Sequence, residues 1–294
     1  MIKTPYWCLL IYCIKRGELL MKFFKQKNIE VITIEGIIKA YGKNGFSKKK
    51  NTIELLDELN NIANNEKIDG VLLRLDSPGG AAGTSEEIYQ AVKHIASKKP
   101  VIASIGNTGC SGAYLIACGA NEIIASNMSI VGSIGAIMTI PNVSKLKDKI
   151  GIDVTTIKSG NMKDICNVFK DMNEEERKLV QDLVSECHQN FINIVKEARK
   201  DKMSDNIDEV LDGRVLSSRT ALQYGLIDKI GTYDDAIELL CKKLSTDRSK
   251  INIKYEKQKT NIISKLIQTS ASGFIDCLLS NDFDNINCLQ KFKL

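Results

Sequence analysis

One serine in this chain has the neighbours a nucleophile needs. Ser111 lies in a tight small-residue run, Thr108-Gly109-Cys110-Ser111-Gly112-Ala113-Tyr114, and a second glycine turn, Ser77-Pro78-Gly79-Gly80, closes an apolar strand upstream. A serine attacks a carbonyl only when a base removes its proton, and histidine is the usual base. The chain has two histidines, His94 and His188, and each falls inside a helical pattern, not a loop. Lys163, in Lys158-Ser159-Gly160-Asn161-Met162-Lys163-Asp164, is the better candidate and points to a serine–lysine hydrolase. A lysine at the ordinary value of ~10.4 stays protonated at neutral pH, so this chemistry requires burial.

Each of these residues also has a plain structural reading. A serine beside glycine commonly caps a helix, and Gly-x-Ser-Gly-Ala is not the Gly-x-Ser-x-Gly elbow of the α/β-hydrolases. Gly79-Gly80 after Pro78 suffices for a turn, although glycine amides can also approach a substrate carbonyl and donate to its developing oxyanion. Lysines are ordinarily at the surface. Cys110 is a second nucleophile candidate, but it precedes the apex of the turn and no histidine is placed to activate it.

The surrounding elements account for where these loops fall. Ile29–Ile34 alternates and is β-branched, Val71–Leu75 is apolar up to the Pro-Gly-Gly turn, and Pro100–Ser104 and Glu122–Ala125 read as further strands. Helices are expected over 51–64, 85–97 and 111–120, so strand and helix alternate as in a parallel sheet covered by helices. In such sheets functional loops lie at the carboxyl ends of strands, where Gly79-Gly80 and Ser111 both fall. Residues 173–200 form a long amphipathic helix with Val180, Val184, Cys187, Phe191, Ile194 and Ala198 as its stripe, opened by Asn173 and three glutamates. His188 borders that stripe. Residues 205–231 read as a turn–helix–turn segment, with helix over 219–224 stopping at Gly225.

Composition excludes some classes. With 294 residues, 43% hydrophobic and 26% charged, the chain is globular, and its net charge of +5 is mild. The basic runs Lys22–Lys27 and Lys48–Lys50 lack the interleaved aromatics of a nucleic-acid stacking surface and read as solvated faces; the first could instead meet anionic lipid. Nine scattered cysteines without a Cys-x-x-Cys pair read as reduced thiols, and no cofactor or metal is called for. The apolar run from Pro5 to Ile14 is about half of a membrane span. It is ended by Lys15-Arg16, where cleavage of a signal peptide would need small residues. It reads as a peripheral anchor or as an extension upstream of Met21, which leaves membrane-associated and cytoplasmic locations both open. The organisation expected is residues 1–27 as an apolar and basic segment, 28–244 as one catalytic domain, and 245–294 as a C-terminal extension.

Five ordered blocks resemble the signal peptide peptidase A family, also called protease IV. They are Leu75–Gly80, Cys110–Cys118, Val131–Gly135, Lys158–Asp164, and Asp212–Val215 with Ala221–Asp228. The similarity runs from about Ile29 to Leu240. It implies a ClpP/crotonase-like α/β fold with Ser111 as nucleophile, Lys163 as general base, the Gly80 and Gly112 amides as oxyanion donors, and Ser133 orienting the lysine. It also implies peptide substrates such as cleaved signal peptides, and a ring-shaped homo-oligomer, often an octamer, whose serine and lysine meet across protomer boundaries. The chain departs from the family pattern at Cys110 and Ala113, both small, and in lacking a full-length span. The same fold also serves crotonases that handle acyl-CoA, and an inactive ring-forming scaffold is a non-enzymatic reading.

Overall fold

The computed structural model describes residues 26–39 and 52–255, all within one compact unit. The readings for residues 1–25 and for 256–294 lie outside the described residues. In chain order the elements are β1 (Lys27–Glu35), α1 (Thr52–Asn64), β2 (Gly70–Ser77), α2 (Ala82–Ala96), β3 (Val101–Cys110), α3 (Gly112–Ala117), β4 (Glu122–Ala125), β5 (Ile130–Gly132) and α4 (Ser144–Lys149). They continue with α5 (Glu174–Ala198), a 3₁₀ turn (Ile207–Val210), β6 (Val215–Ser217), α6 (Ser218–Gln223), β7 (Lys229–Ile230), α7 (Tyr233–Lys243), a second 3₁₀ turn (Arg248–Lys250) and β8 (Ile251–Tyr255).

The sheet runs β6-β5-β3-β2-β1-β8, with β4 and β7 branching from β3. Every pairing is parallel except β5 with β6. The central strands are largely apolar because both faces are covered. Leu73, Leu75, Ala103 and Ile105 face a large core shared with α1, α2, α3 and the C-terminal half of α5. Leu72, Ile102 and Ile124 face the other way, onto Ala236, Ile237 and Leu240 of α7. The α/β architecture expected from the alternating pattern is the one observed.

Several bounds moved, each for a local reason. The strand expected over 100–104 continues to Cys110, because β3 changes partner: residues 102–105 pair with β4 and 108–110 with β5. Asp76 holds the bend between these stretches, accepting from the Thr108 amide at 3.0 Å and from Asn107 Nδ2 at 2.6 Å. β8 lies past residue 244, yet it pairs with β1 from Lys27↔Ile251 to Val31↔Tyr255, so the sheet itself extends to residue 255. α7 is opened by a capping box in which Thr232 accepts from the Asp235 amide and Asp235 accepts from the Thr232 amide.

The C-terminal end of α5 is rooted in this sheet by a buried ion pair. Arg199, 2% exposed, meets both oxygens of Asp228 at 2.9 and 3.0 Å and donates through Nε to the Gly225 carbonyl. The carboxylate also accepts from the Ile123 amide at 2.7 Å and from Lys202 at 2.6 Å. Burial pushes the Asp228 carboxyl up, but Arg199, Lys202 and the Ile123 amide outweigh it and hold the carboxyl below its usual range. Asp228→Asn is therefore expected to cost about 3–5 kcal/mol at neutral pH, since it strands a buried guanidinium. A carboxyl depressed in the folded state stabilises above its unfolded value of ~3.9 and loses that contribution as pH falls. Urea unfolding should accordingly show the gap between parent and variant narrowing below about pH 4, whereas a constant gap would assign the cost to packing alone.

Candidate active site

Three strand ends converge where the glycine turns lie. Ser77 at the end of β2 pairs with Gly109, and Cys110 at the end of β3 pairs with Gly132 at the end of β5. Ser111 and Ser133 are thus each one residue past a paired position on neighbouring strands, and both take a left-handed φ of 51°. For non-glycine residues this backbone costs on the order of 1–3 kcal/mol and persists only where surrounding bonds enforce it. The Ser111 amide donates to Gly132 O at 2.8 Å, and the Ser133 amide donates to Arg214 O at 2.8 Å.

The conformation of Ser111 decides between two uses of its hydroxyl. A helix cap has extended backbone and accepts from an amide two or three residues on. Ser111 has φ 51° and ψ −126°, and its side chain makes no capping hydrogen bond to α3. The half-buried hydroxyl is therefore left for other chemistry. α3 is buried from end to end, and the Tyr114 hydroxyl donates to Leu226 O at 2.7 Å, which ties the helix behind Ser111 to the 225–228 turn.

The second glycine turn packs directly on this serine. Ser77 Oγ accepts from the Gly79 amide at 3.1 Å. A Cβ on Gly79 would stand 2.8 Å from Ser111 Cβ and 2.7 Å from the Gly112 nitrogen. The Gly80 nitrogen lies 3.5 Å from the point a Cβ on Gly112 would occupy, and that Cβ would also sit 2.2 Å from Ser85 Oγ. The amides of Gly80 and Gly112 have no acceptor among the described residues. Two unpaired N–H groups beside a strained serine are an arrangement suited to a developing oxyanion.

Segment 36–39 forms the outer wall. Ile38 donates to Gly79 O at 2.9 Å and accepts from the Ala81 amide at 2.8 Å. A Cβ on Gly80 would come within 1.9 Å of Ile38 O, so Gly80→Ala must break this bridge. It is expected to cost about 1–3 kcal/mol and to lower activity by at least about tenfold, since the turn beside Ser111 has to move. Gly83→Ala, where nothing lies within 4 Å, is the control in the same loop-to-helix region and should melt no lower than the parent. Equal melting temperatures and equal rates for both variants would contradict the packing described.

The remaining candidates sit apart. Lys163 is exposed, in a turn where its amide donates to Gly160 O at 3.1 Å, and no hydrogen bond joins it to Ser111 within the single chain. Its neighbour Asp164 is engaged by Lys158 at 2.6 Å and by Lys170 at 3.0 Å, contacts that the spacing of the sequence did not announce. Cys110 is buried, its Sγ facing Ile130 O at 3.6 Å, and burial pushes the thiol up, away from the reactive thiolate. His94 is exposed on α2; His188 Nε2 pairs with Leu211 O at 2.7 Å on α5. Neither histidine bonds to Ser111.

A family model described as Peptidase family S49 matches residues 93–246, and one described as Clp protease matches residues 26–141. A proposed protease of Methanocaldococcus jannaschii is 33% identical over 244 residues, covering 79% of this chain and 78% of the relative. A proposed protease of Synechocystis sp. is 31% identical over 268 residues, 91% of each chain. A proposed signal peptide peptidase SppA of Enterococcus faecium is 34% identical over 242 residues, covering 81% and 70%. With a ClpP-like α/β sheet beneath the serine and a family match over half its length, the chain belongs to peptidase family S49, as a serine-type peptidase.

Proposed function

We propose that the protein cleaves extended peptides, remnant signal peptides among them, with Ser111 as nucleophile and Lys163 as general base. The observation that carries this reading is the Ser111 hydroxyl, freed from helix capping and set beside the unpaired Gly80 and Gly112 amides. The Lys163 amine takes the proton from Ser111 Oγ as the oxygen bonds to the scissile carbonyl carbon. The carbonyl oxygen, now negative, accepts from Gly80 and Gly112. The ammonium returns its proton to the departing amine, the C–N bond breaks, and an acyl-enzyme remains. A water repeats the sequence, its proton passing through Lys163 to Ser111 Oγ as the acid leaves. Ser133, one strand over from Ser111, orients the amine.

This chemistry needs Lys163 out of water, and in the single chain it is exposed. Residues 151–160 are exposed throughout, including Ile152, Val154 and Ile157, the last at 96%. Leu179 and Leu183 on the N-terminal half of α5 are exposed as well. Apolar surface of this extent argues for burial against a second copy, and we infer a closed homo-oligomer, such as an octamer, in which neighbouring protomers complete the site. Light scattering with activity assayed across the sizing profile tests this. Activity is expected in the assembled fraction alone; a fully active monomer would remove the shared site and leave only a dyad within one chain. Contact with a membrane surface, through the basic run at residues 22–27, belongs to the same proposal, and no described helix is long and apolar enough to cross a membrane.

A further inference from the structure

The turn that carries Lys163 has no strand ladder to hold it. Its backbone bonds are isolated turns, Lys163 N to Gly160 O, Ile165 N to Met162 O and Asn167 N to Asp164 O, at 3.1–3.2 Å. Proton transfer nevertheless needs the amine held to a fraction of an ångström. Beyond the Val143 amide, which donates to Val168 O at 2.8 Å, and Asn142, which donates to Asp171 at 2.6 Å, the fixed points of this segment are charges. Lys158 Nζ donates to Asp164 Oδ1 at 2.6 Å and to Asn161 O at 3.0 Å. Lys170 Nζ lies 3.0 Å from the same carboxylate oxygen and 2.5 Å from Glu176 Oε1. Glu176, 2% exposed, accepts from the Asn173 amide at 3.1 Å, while Asn173 Oδ1 accepts from the Glu176 amide at 2.8 Å, closing the capping box of α5.

The four charges alternate in sign and end on a rigid element. From Glu176, α5 runs to Phe191 and Val195 in the core and to the Arg199–Asp228 pair, which reaches β4 through the Ile123 amide. β4 pairs with β3, so the ladder is anchored to the central sheet of the protomer that carries Lys163. An isolated exposed ion pair contributes little, but here the two carboxylates are only 11% and 2% exposed. Lys158 and Lys170 hold the Asp164 carboxyl below its usual range, and Lys170 with the Asn173 amide does the same for Glu176. Both are ionised at neutral pH, so the ladder is fully formed there.

We propose that the ladder Lys158–Asp164–Lys170–Glu176 positions Lys163 for proton transfer, with Asp164 and Lys170 as positioning residues. The proposal rests on the reading of Lys163 as general base. It assigns the ladder a role in kcat, distinct from any role in substrate binding.

The experiment compares Asp164→Asn, Lys170→Met and Lys170→Arg with Lys163→Ala, in the full chain, by steady-state peptidase kinetics and thermal melting. Loosening the turn by about an ångström is expected to lower kcat by about 10- to 100-fold in Asp164→Asn and Lys170→Met, with KM within about twofold. Lys170→Arg keeps both ion pairs and should retain most of the parent kcat. Parent-like kcat in Asp164→Asn and Lys170→Met, or a Lys170→Arg as poor as Lys170→Met, overturns the proposal. So does a loss of kcat that merely tracks a fall in melting temperature and a rise in KM, which would make the ladder a stability element alone. If Lys163→Ala itself stays active, it is the base assignment that fails. An inactive Lys163→Ala beside fully active ladder variants leaves the dyad standing and removes only the ladder.

Discussion

Ser111→Ala is expected to lower peptidase turnover by at least about 10⁴-fold while the protein melts within about a degree or two of the parent. The size follows from the role: without Oγ there is no acyl-enzyme, and what remains is the contribution of bound geometry and the oxyanion donors. The unchanged melting follows from the structure. Ser111 Oγ caps nothing, and alanine keeps the Cβ and hence the same backbone strain at φ 51°. A serine acting as an ordinary N-cap would show the reverse, a stability loss of about 1 kcal/mol with activity retained. The two outcomes do not overlap, so one variant separates the catalytic from the structural use of this residue.

Lys163→Ala should be as inactive as Ser111→Ala, because nucleophile and base act as a unit. The more telling result comes from mixing the two. If Ser111 of one protomer works with Lys163 of its neighbour, co-assembling the inactive variants in equal amounts regenerates intact sites at roughly a quarter of all positions, as random pairing around a closed ring requires. If both residues act within one chain, the mixture stays inactive. Turnover after subunit exchange, compared with each variant alone, distinguishes these. The exposure of Lys163 and of residues 151–160 in the single chain is the reason to expect recovery.

The parts of the fold that were legible in the sequence are those where one side chain pattern admits one solution. Val71–Leu75 and Glu122–Ala125 had to be strands because short apolar runs ended by turns fit a sheet buried on both faces. Asn173 with the glutamates after it marked the start of α5, and the structure turns that mark into a capping box. Short elements were not legible. β5 and β6 are three residues each, too few to carry a period; β5 pairs with β3 past the register shift opposite Asp76 of β2, and β6 pairs with β5. α7 carries its own start signal in Thr232 and Asp235, the two residues of its capping box. At the site, sequence spacing located the turns around Ser111 and Gly80, but not the left-handed backbone of Ser111 and Ser133, which depends on bonds to Gly132 and Arg214 from other strands. The ladder on Asp164 was equally out of reach, since the charges that converge there are spread over residues 158–176.

The central claim is that Ser111 is the residue that bonds to substrate, and covalent labelling tests it most directly. A fluorophosphonate probe forms a stable phosphonyl ester with an activated serine oxygen, displacing fluoride. Incubated with the assembled protein and followed by peptide mass spectrometry, it should modify the fragment containing Thr108–Tyr114 at Ser111, in proportion to the activity lost, and should leave Ser111→Ala unlabelled. Modification of another residue with Ser111 untouched, in protein that loses activity as it labels, would contradict the account.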